Sequence, residues 1–259
     1  MTATGRALRA AEYWMTSYRR TWRGTAVSSV ITPVLFLTAM GIGLGNYVHG
    51  GTGRVDGVRY AVFLAPGLLA AWAMQTALGE TTWPVMGAIK WHRTYHGMLA
   101  TPLTTDDVMI GHQLFVAFRV VVVSVTFAGV MAALGLVLSV GGLVLAVLGA
   151  VLMGMASAAP IAAFAATREN DRGFSLRYRF VMIPMFLFSG TFFPVTQLPT
   201  SIRWLAYLTP LWHGVALCRG FALGTASAAG ALLHTAVLLA LLGGGLLIAS
   251  RNYRRRLQW

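Results

Sequence analysis

The stretch Ser189–Gly224, SGTFFPVTQLPTSIRWLAYLTPLWHGVALCRGFALG, is apolar enough for a membrane yet cannot cross one as a single helix. Pro194, Pro199 and Pro210 interrupt it. Each proline removes a backbone donor and clashes with the preceding turn, and a spanning helix needs about 20 continuous apolar residues. The pattern predicts a spanning helix that ends near Phe193, then two short helices, Thr200–Tyr207 and about Leu211–Ala222. Thr200 or Ser201 is placed to cap the first, and Pro210 to precede the second. Short apolar helices that do not span line or close a cavity; an ordinary surface loop is the plainer reading of the same residues.

The rest of the chain supplies the spans around this stretch. Of its 259 residues, 57% are hydrophobic and 10% charged, where a soluble domain carries about a quarter charged. The fold class expected is all-α, a polytopic membrane protein forming a single transmembrane domain over 1–259. Six spans are expected, at about Thr25–Tyr47, Tyr60–Met86, Val108–Leu134, Leu143–Thr167, Phe180–Phe193 and Gly230–Ser250. Residues 5–23 read as an amphipathic helix lying in the headgroup plane. Its apolar side carries Leu8, Ala11, Trp14, Met15, Tyr18 and Trp22, with Arg6, Arg9, Arg20 and Arg23 opposite. Gly41 and Gly45 form a GxxxG pair, a weak signal for close helix packing. No strand or βαβ unit surrounds these glycines to make a nucleotide fingerprint. The first long apolar run starts only after residue 24, with no clean cleavage site behind it, so no cleavable signal peptide is expected.

The net charge of +13 lies in clusters between apolar runs. This is topology, not nucleic-acid binding. The N-terminal segment, the break Lys90–Asp107, the break 168–179 and the C-terminal tail together carry fifteen Lys and Arg, against four at Arg54, Arg59, Arg203 and Arg219. That asymmetry places both termini in the cytoplasm.

Several functional classes are excluded or weakened. The one lysine, Lys90, follows Ile89, so the GxxxxGK[ST] phosphate loop of an ATPase is absent. One cysteine, Cys218, permits no intramolecular disulfide and reads as a packing residue. No catalytic triad or paired carboxylates are readable, and no catalytic residue is assigned. Asp106 and Asp107 flank a helix start and read as N-terminal charges. His92 and His96 stand at metal-ligand spacing but without a histidine box, so no metal site is assigned.

Two ionisable groups fall inside spans. Glu80 lies ten residues before Lys90 and Arg119 twelve after Asp107, roughly 15 and 18 Å from the cytoplasmic edge at about 1.5 Å per residue. A structural pair is the first reading; a role in substrate passage or proton relay is the alternative. The break from Lys90 reads as a short helix presenting Trp91, Tyr95, Met98 and Leu99 with basic flanks, which suits a protein contact. Packing against the chain's own helix ends explains the same residues.

The 189–224 stretch resembles the signature of type-2 ATP-binding-cassette exporter permeases, most of all the nodulation-factor and daunorubicin-resistance export permeases. The matching positions are Gly190, Phe193, Pro194, Leu198, Pro199, Pro210, Leu211, His213, Arg219 and Gly224, with Leu99, Thr101 and Pro102 matching the first cytoplasmic loop. The resemblance implies a bacterial plasma-membrane permease that works as a dimer, by expectation a homodimer, each copy docking a separate ATPase subunit that holds the ATP and Mg. This chain itself would bind no cofactor and no nucleic acid. Residues 88–106 would be the coupling loop, with Lys90, Trp91, His92, Arg93, Tyr95, Met98 and Leu99 at the ATPase contact. Residues 194–224 would form the outer gate, with Gly190, Phe193, Pro194, Pro199, Pro210, His213 and Arg219 shaping it. The substrate implied is lipophilic or amphipathic: a drug, glycolipid or lipooligosaccharide moving between two permeases or laterally from the inner leaflet. An ion-coupled transporter using Glu80 and Arg119 remains the alternative, although no inverted repeat is visible. A lipid-modifying membrane enzyme is disfavoured by the missing catalytic cluster.

Overall fold

The computed structural model describes residues 3–44, 54–170 and 172–257. It is helical apart from a two-residue hairpin ladder, β1 (Arg54–Val55) with β2 (Val58–Arg59), closed by Asp56 and Gly57 at positive φ. Among the described residues, that ladder is the one departure from an all-α chain. It arises because an Asp-Gly pair supplies the left-handed turn that a tight hairpin needs. Within the described residues, five helical stretches are long and apolar enough to cross a membrane: Thr4–Gly41, Tyr60–Lys90, Thr105–Ala133, Val140–Ala166 and Ala228–Leu257.

The first of these differs from expectation. Helix α1 runs without a break from Ala3 to Phe36 and continues as a π-helical stretch, Leu37–Leu44. The expected interface helix and first span are thus one rod. Gly24 alone does not stop a helix, and Pro33 is accommodated inside it. The packed face is also not the expected apolar stripe. Ala7 and Ala10 are buried and Trp14 half-buried, whereas Leu8 and Trp22 are exposed. Small residues win here because α1 lies very close to α5 (Thr105–Ala133): a Cβ on Gly111 would come within 2.5 Å of the Ala10 Cβ. At the other end Gly41 sits against Ala61; Gly45 lies outside the described residues.

Helix α2 (Tyr60–Thr81) is the central post. It is buried nearly all round, from Leu64 through Leu68, Leu69, Ala70 and Ala73 to Ala77. A helix that is apolar on every face belongs inside a bundle. Two short helices follow, α3 (Trp83–Lys90) and α4 (Thr94–Leu99). Helix α5 then starts on a complete capping box, Thr104 with Asp107. Helix α6 (Val140–Ala166), capped by Ser139, packs against α2 and α5.

The expected fifth span, Phe180–Phe193, is jointed and lies further toward the charged break, starting and ending earlier in the chain. It consists of α7 (Arg172–Arg177), a π-helical turn over Tyr178–Met182, and α8 (Ile183–Phe188), which ends at Ser189 before the positive-φ Gly190. Pro184 sits in the first turn of α8, which explains the joint. The proline-broken stretch folds as α9 (Thr200–Leu208) and α10 (Pro210–Leu223). Thr200 and Ser201 do not cap α9, whose N-cap is Pro199 with no side-chain bond; Thr209 caps α10 instead. Finally α11 (Ala228–Leu257) carries the expected sixth span straight on into the basic tail, because Arg251–Arg256 continue the helix without a breaker.

The bundle has two ends. One gathers α3, α4, the starts of α1 and α5, and the end of α11, around a separate core of Val85, Met86, Tyr95, Val108, Phe174 and Tyr253. This is the basic end. The opposite end carries α9, α10 and the β-hairpin. Between them the outward faces of α5, α6 and α11 expose Val125, Leu148, Leu232 and Leu247, apolar surface suited to lipid.

Candidate functional site

At the basic end, α3 and α4 form a knuckle. Arg93 turns the chain between them with a φ of 49°. Lys90, Trp91, His92, Arg93 and His96 lie on the exposed side, Trp91 at 55% exposure. Met98 and Leu99 are half-buried and pack on the basic-end core. The Trp91 ring stacks 6.4 Å from that of Trp83. Lys90 reaches the Glu169 backbone carbonyl, and Glu169 in turn pairs with Arg256 at 2.8 Å. Lys90 is thereby engaged within the chain. The Arg256 hydrogen bond, then its charge and that of Lys90, hold the Glu169 carboxyl below the ordinary range.

Tyr95 corrects the sequence reading. It was grouped with Trp91 as a contact residue, but its ring is fully buried. Its hydroxyl shares a 2.5 Å hydrogen bond with His112 Nδ1 on α5. Burial, and then the neighbouring Tyr253, push the phenol well above its usual range, so it stays protonated. His112 stacks on Trp14 of α1 at 4.4 Å, and Tyr95 packs 5.7 Å from Tyr253 of α11. One side chain of the knuckle therefore touches three long helices. Sequence reasoning left contact surface and packing against the chain's own helix ends both open, because an aromatic on a short helix looks the same whether it faces in or out.

The start of α5 completes the pedestal. Asp107 pairs with Arg6 at 2.8 Å and accepts from Thr104; Asp106 pairs with Arg254 and accepts from Ser250 at 2.7 Å. The two aspartates do more than complement a helix terminus: they tie α1 and α11 to α5.

At mid-span, Arg119 Nε donates to Glu80 Oε1 at 2.9 Å, and the Tyr18 ring lies 4.5 Å from the guanidinium carbon. The expected pair is formed. Arg119 is 4% exposed.

The opposite end is organised by Arg219. Its Nε donates to the Phe63 carbonyl at 3.1 Å, and its Nη2 to the carbonyls of Gly190 and Thr191 at 2.8 and 3.2 Å. Its guanidinium also lies 3.8 Å over the Phe63 ring. One planar fork thus clamps the turn after α8 to α2. Gly67 makes room for it, since a Cβ there would meet Arg219 Nη2 at 2.7 Å. Ser189 and Thr209 hydroxyls bond at 2.7 Å across the same turn. Gly190 needs its positive φ, 83°. Phe193 and Pro194 line an apolar cavity of about 610 Å³ with Phe36, Tyr60 and Phe192. Pro199 and Pro210 set the boundaries of α9 and α10. His213 Nδ1 lies 2.9 Å from His234 Nδ1 and joins α10 to α11. Cys218 is buried, with its thiol on the Ala146 carbonyl. The structure thus gathers residues 90–99 at the knuckle, Glu80 and Arg119 at mid-span, and Gly190 with Arg219 at the clamp, while Phe193, Pro194, Pro199, Pro210 and His213 take separate places around the hairpin.

Comparison with known proteins bears on what this arrangement belongs to. Residues 10–223 match the family described as ABC-2 type transporter. Nodulation protein J of Rhizobium leguminosarum bv. viciae is 32% identical over 251 residues, covering 94% of this chain and 95% of that protein. The protein of the same name from Rhizobium leguminosarum bv. trifolii is 31% identical over 82% of this chain and 81% of its own length. The inner membrane transport permease YadH of Escherichia coli strain K12 is 28% identical over 80% of this chain and 77% of its own. With an apolar bundle and a family match over most of its length, the chain belongs to the ABC-2 type transporter family.

Proposed function

We propose that the chain is the membrane-embedded subunit of an exporter driven by a separate P-loop ATPase, which holds the ATP and Mg. Two permease copies, in our reading identical, would enclose the path and each would dock one ATPase subunit. The location proposed is a bacterial plasma membrane with both termini in the cytoplasm, as the charge asymmetry directs. The substrate class is lipophilic or amphipathic: a drug, glycolipid or lipooligosaccharide.

The observation that carries this reading is the knuckle on its pedestal. A chain with no ATPase loop of its own presents an exposed Trp91 with basic neighbours. The same knuckle is anchored through Tyr95, His112 and Trp14 to α5 and α1. A push at Trp91 and Arg93 is thereby delivered to the spans as a rigid-body displacement, since packed cores transmit strain. At the far end, the Arg219 clamp fixes the hairpin 194–224 to α2, so movement of α2 carries the proposed gate.

Mild-detergent purification of the tagged chain from its native membrane tests this. A P-loop ATPase recovered in stoichiometric amount is the expected result. Transport by the chain alone in liposomes, with no ATPase, would overturn it and favour ion coupling through Glu80 and Arg119.

A further inference from the structure

A polar cavity of about 230 Å³ opens at mid-span between α1, α2 and α5. Its lining includes Arg119 and Glu80, Ser29 and Thr32 of α1, and Thr76 and Trp72 of α2. Arg119 is buried, its Nε is held by Glu80 and its face by Tyr18. Its Nη1, also buried, has no hydrogen-bond partner among the described residues. A buried guanidinium N–H without an acceptor is costly. Thr32 is exposed while Ser29, Thr76 and Glu80 are half-exposed, so the cavity opens sideways. A row of hydroxyls beside an ion pair has no favourable contact with lipid tails.

We propose that this cavity is a binding site for an uncharged, hydroxyl-bearing head group of an amphiphile. The chemistry is set by the lining. Glu80 accepts a hydroxyl proton, and Ser29, Thr32 and Thr76 both donate and accept. Arg119 and Glu80 are electrically neutral as a pair. An anionic head would be repelled by Glu80 and a cationic one by Arg119, and either would compete for the ion pair in a low-dielectric setting. Trp72 offers an apolar wall to the carbon face of the same ligand. The inference rests on the transport reading and narrows its substrate class, selecting against charged amphiphiles.

The test uses the full chain in lipid nanodiscs with three photoreactive dodecyl probes that differ only in the head: maltoside, phosphate or trimethylammonium. Each carries a diazirine beside the head group, and labelled peptides are mapped by mass spectrometry. The maltoside probe is expected to label the segments 25–32 and 72–80 about tenfold more than either charged probe. Ser29→Ala with Thr76→Val, which removes two hydroxyls and leaves the ion pair intact, is expected to cut that labelling about tenfold, equivalent to two ordinary hydrogen bonds. Labelling by the charged probes as strong as by maltoside, no labelling of these segments, or equal labelling of the double variant would each overturn the site. Recovery of the ATPase is scored on the same preparation, so a failed site with ATPase present leaves the transport reading standing.

Discussion

The Tyr95 hydroxyl and His112 Nδ1 lie 2.5 Å apart across 17 residues of sequence, sealed from solvent, while Trp91 four residues before Tyr95 is exposed. This contact divides the knuckle into an outer surface that is free to meet a partner and an inner surface that belongs to the fold.

Trp91 and Tyr95 therefore respond differently to substitution. Tyr95→Phe keeps the ring but leaves His112 Nδ1 without its partner, a loss of about 1–3 kcal/mol. It lowers the Tm of the purified chain. Trp91→Ala leaves the Tm nearly unchanged and removes stimulation of the partner ATPase. Equal Tm losses for the two variants would show that Trp91 is structural as well.

Arg119 is buried and its partner Glu80 half-buried, and breaking the pair from one side leaves a charge uncompensated. Arg119→Ala costs about 3–5 kcal/mol, while Arg119→Ala with Glu80→Ala together costs less than the single change. Thermal unfolding of the four-member cycle reads the coupling. Additive losses would argue against a net contribution from the pair.

Gly67 holds open the space that Arg219 fills. Gly67→Ala forces its new Cβ against Arg219 Nη2 and the Thr191 carbonyl, at 2.7 and 2.9 Å. Overpacking of this kind costs about 1–3 kcal/mol. Release of the clamp appears as faster thiol labelling of a cysteine placed at Thr191, which is fully buried in the native fold. An unchanged labelling rate would mean that the turn after α8 is held by other contacts.

Asp107 serves two partners at once. Asp107→Ala removes the reciprocal cap on α5, worth about 1 kcal/mol, and the Arg6 pair. Arg6→Ala lowers the Tm by less in the Asp107→Ala background than in the native one, the difference being the worth of the Arg6–Asp107 pair. A full additional loss in the double variant would show that Arg6 acts elsewhere.

Much of the architecture is legible along the chain. The starts and ends of α5, α6 and α10 fall within a few residues of the hydropathy boundaries, since burial in lipid imposes a long apolar run. The three prolines mark the broken hairpin because a missing N–H acts locally. The depth of Glu80 and Arg119 follows from residue counting alone; that they pair is decided by the packing of α2 against α5. The segment 172–188 was harder to read: its apolar run suggests one span, but Pro184 and the π-helical turn joint it.

The sequence by itself determined the class of molecule, the order of its long apolar segments, the clustering of its charge between them and the place where a helix cannot continue. These depend on composition, periodicity and backbone chemistry within a few turns. Only the tertiary structure decided that Tyr95 faces inward, that Asp106 and Asp107 bind the two ends of the chain, that Arg219 clamps Gly190 to α2, and that Arg119 pairs with Glu80. Each of these contacts joins residues on separate helices. Which face of a helix is covered, and by which neighbour, is set by how the helices pack, and packing has no signature in the local pattern of either partner.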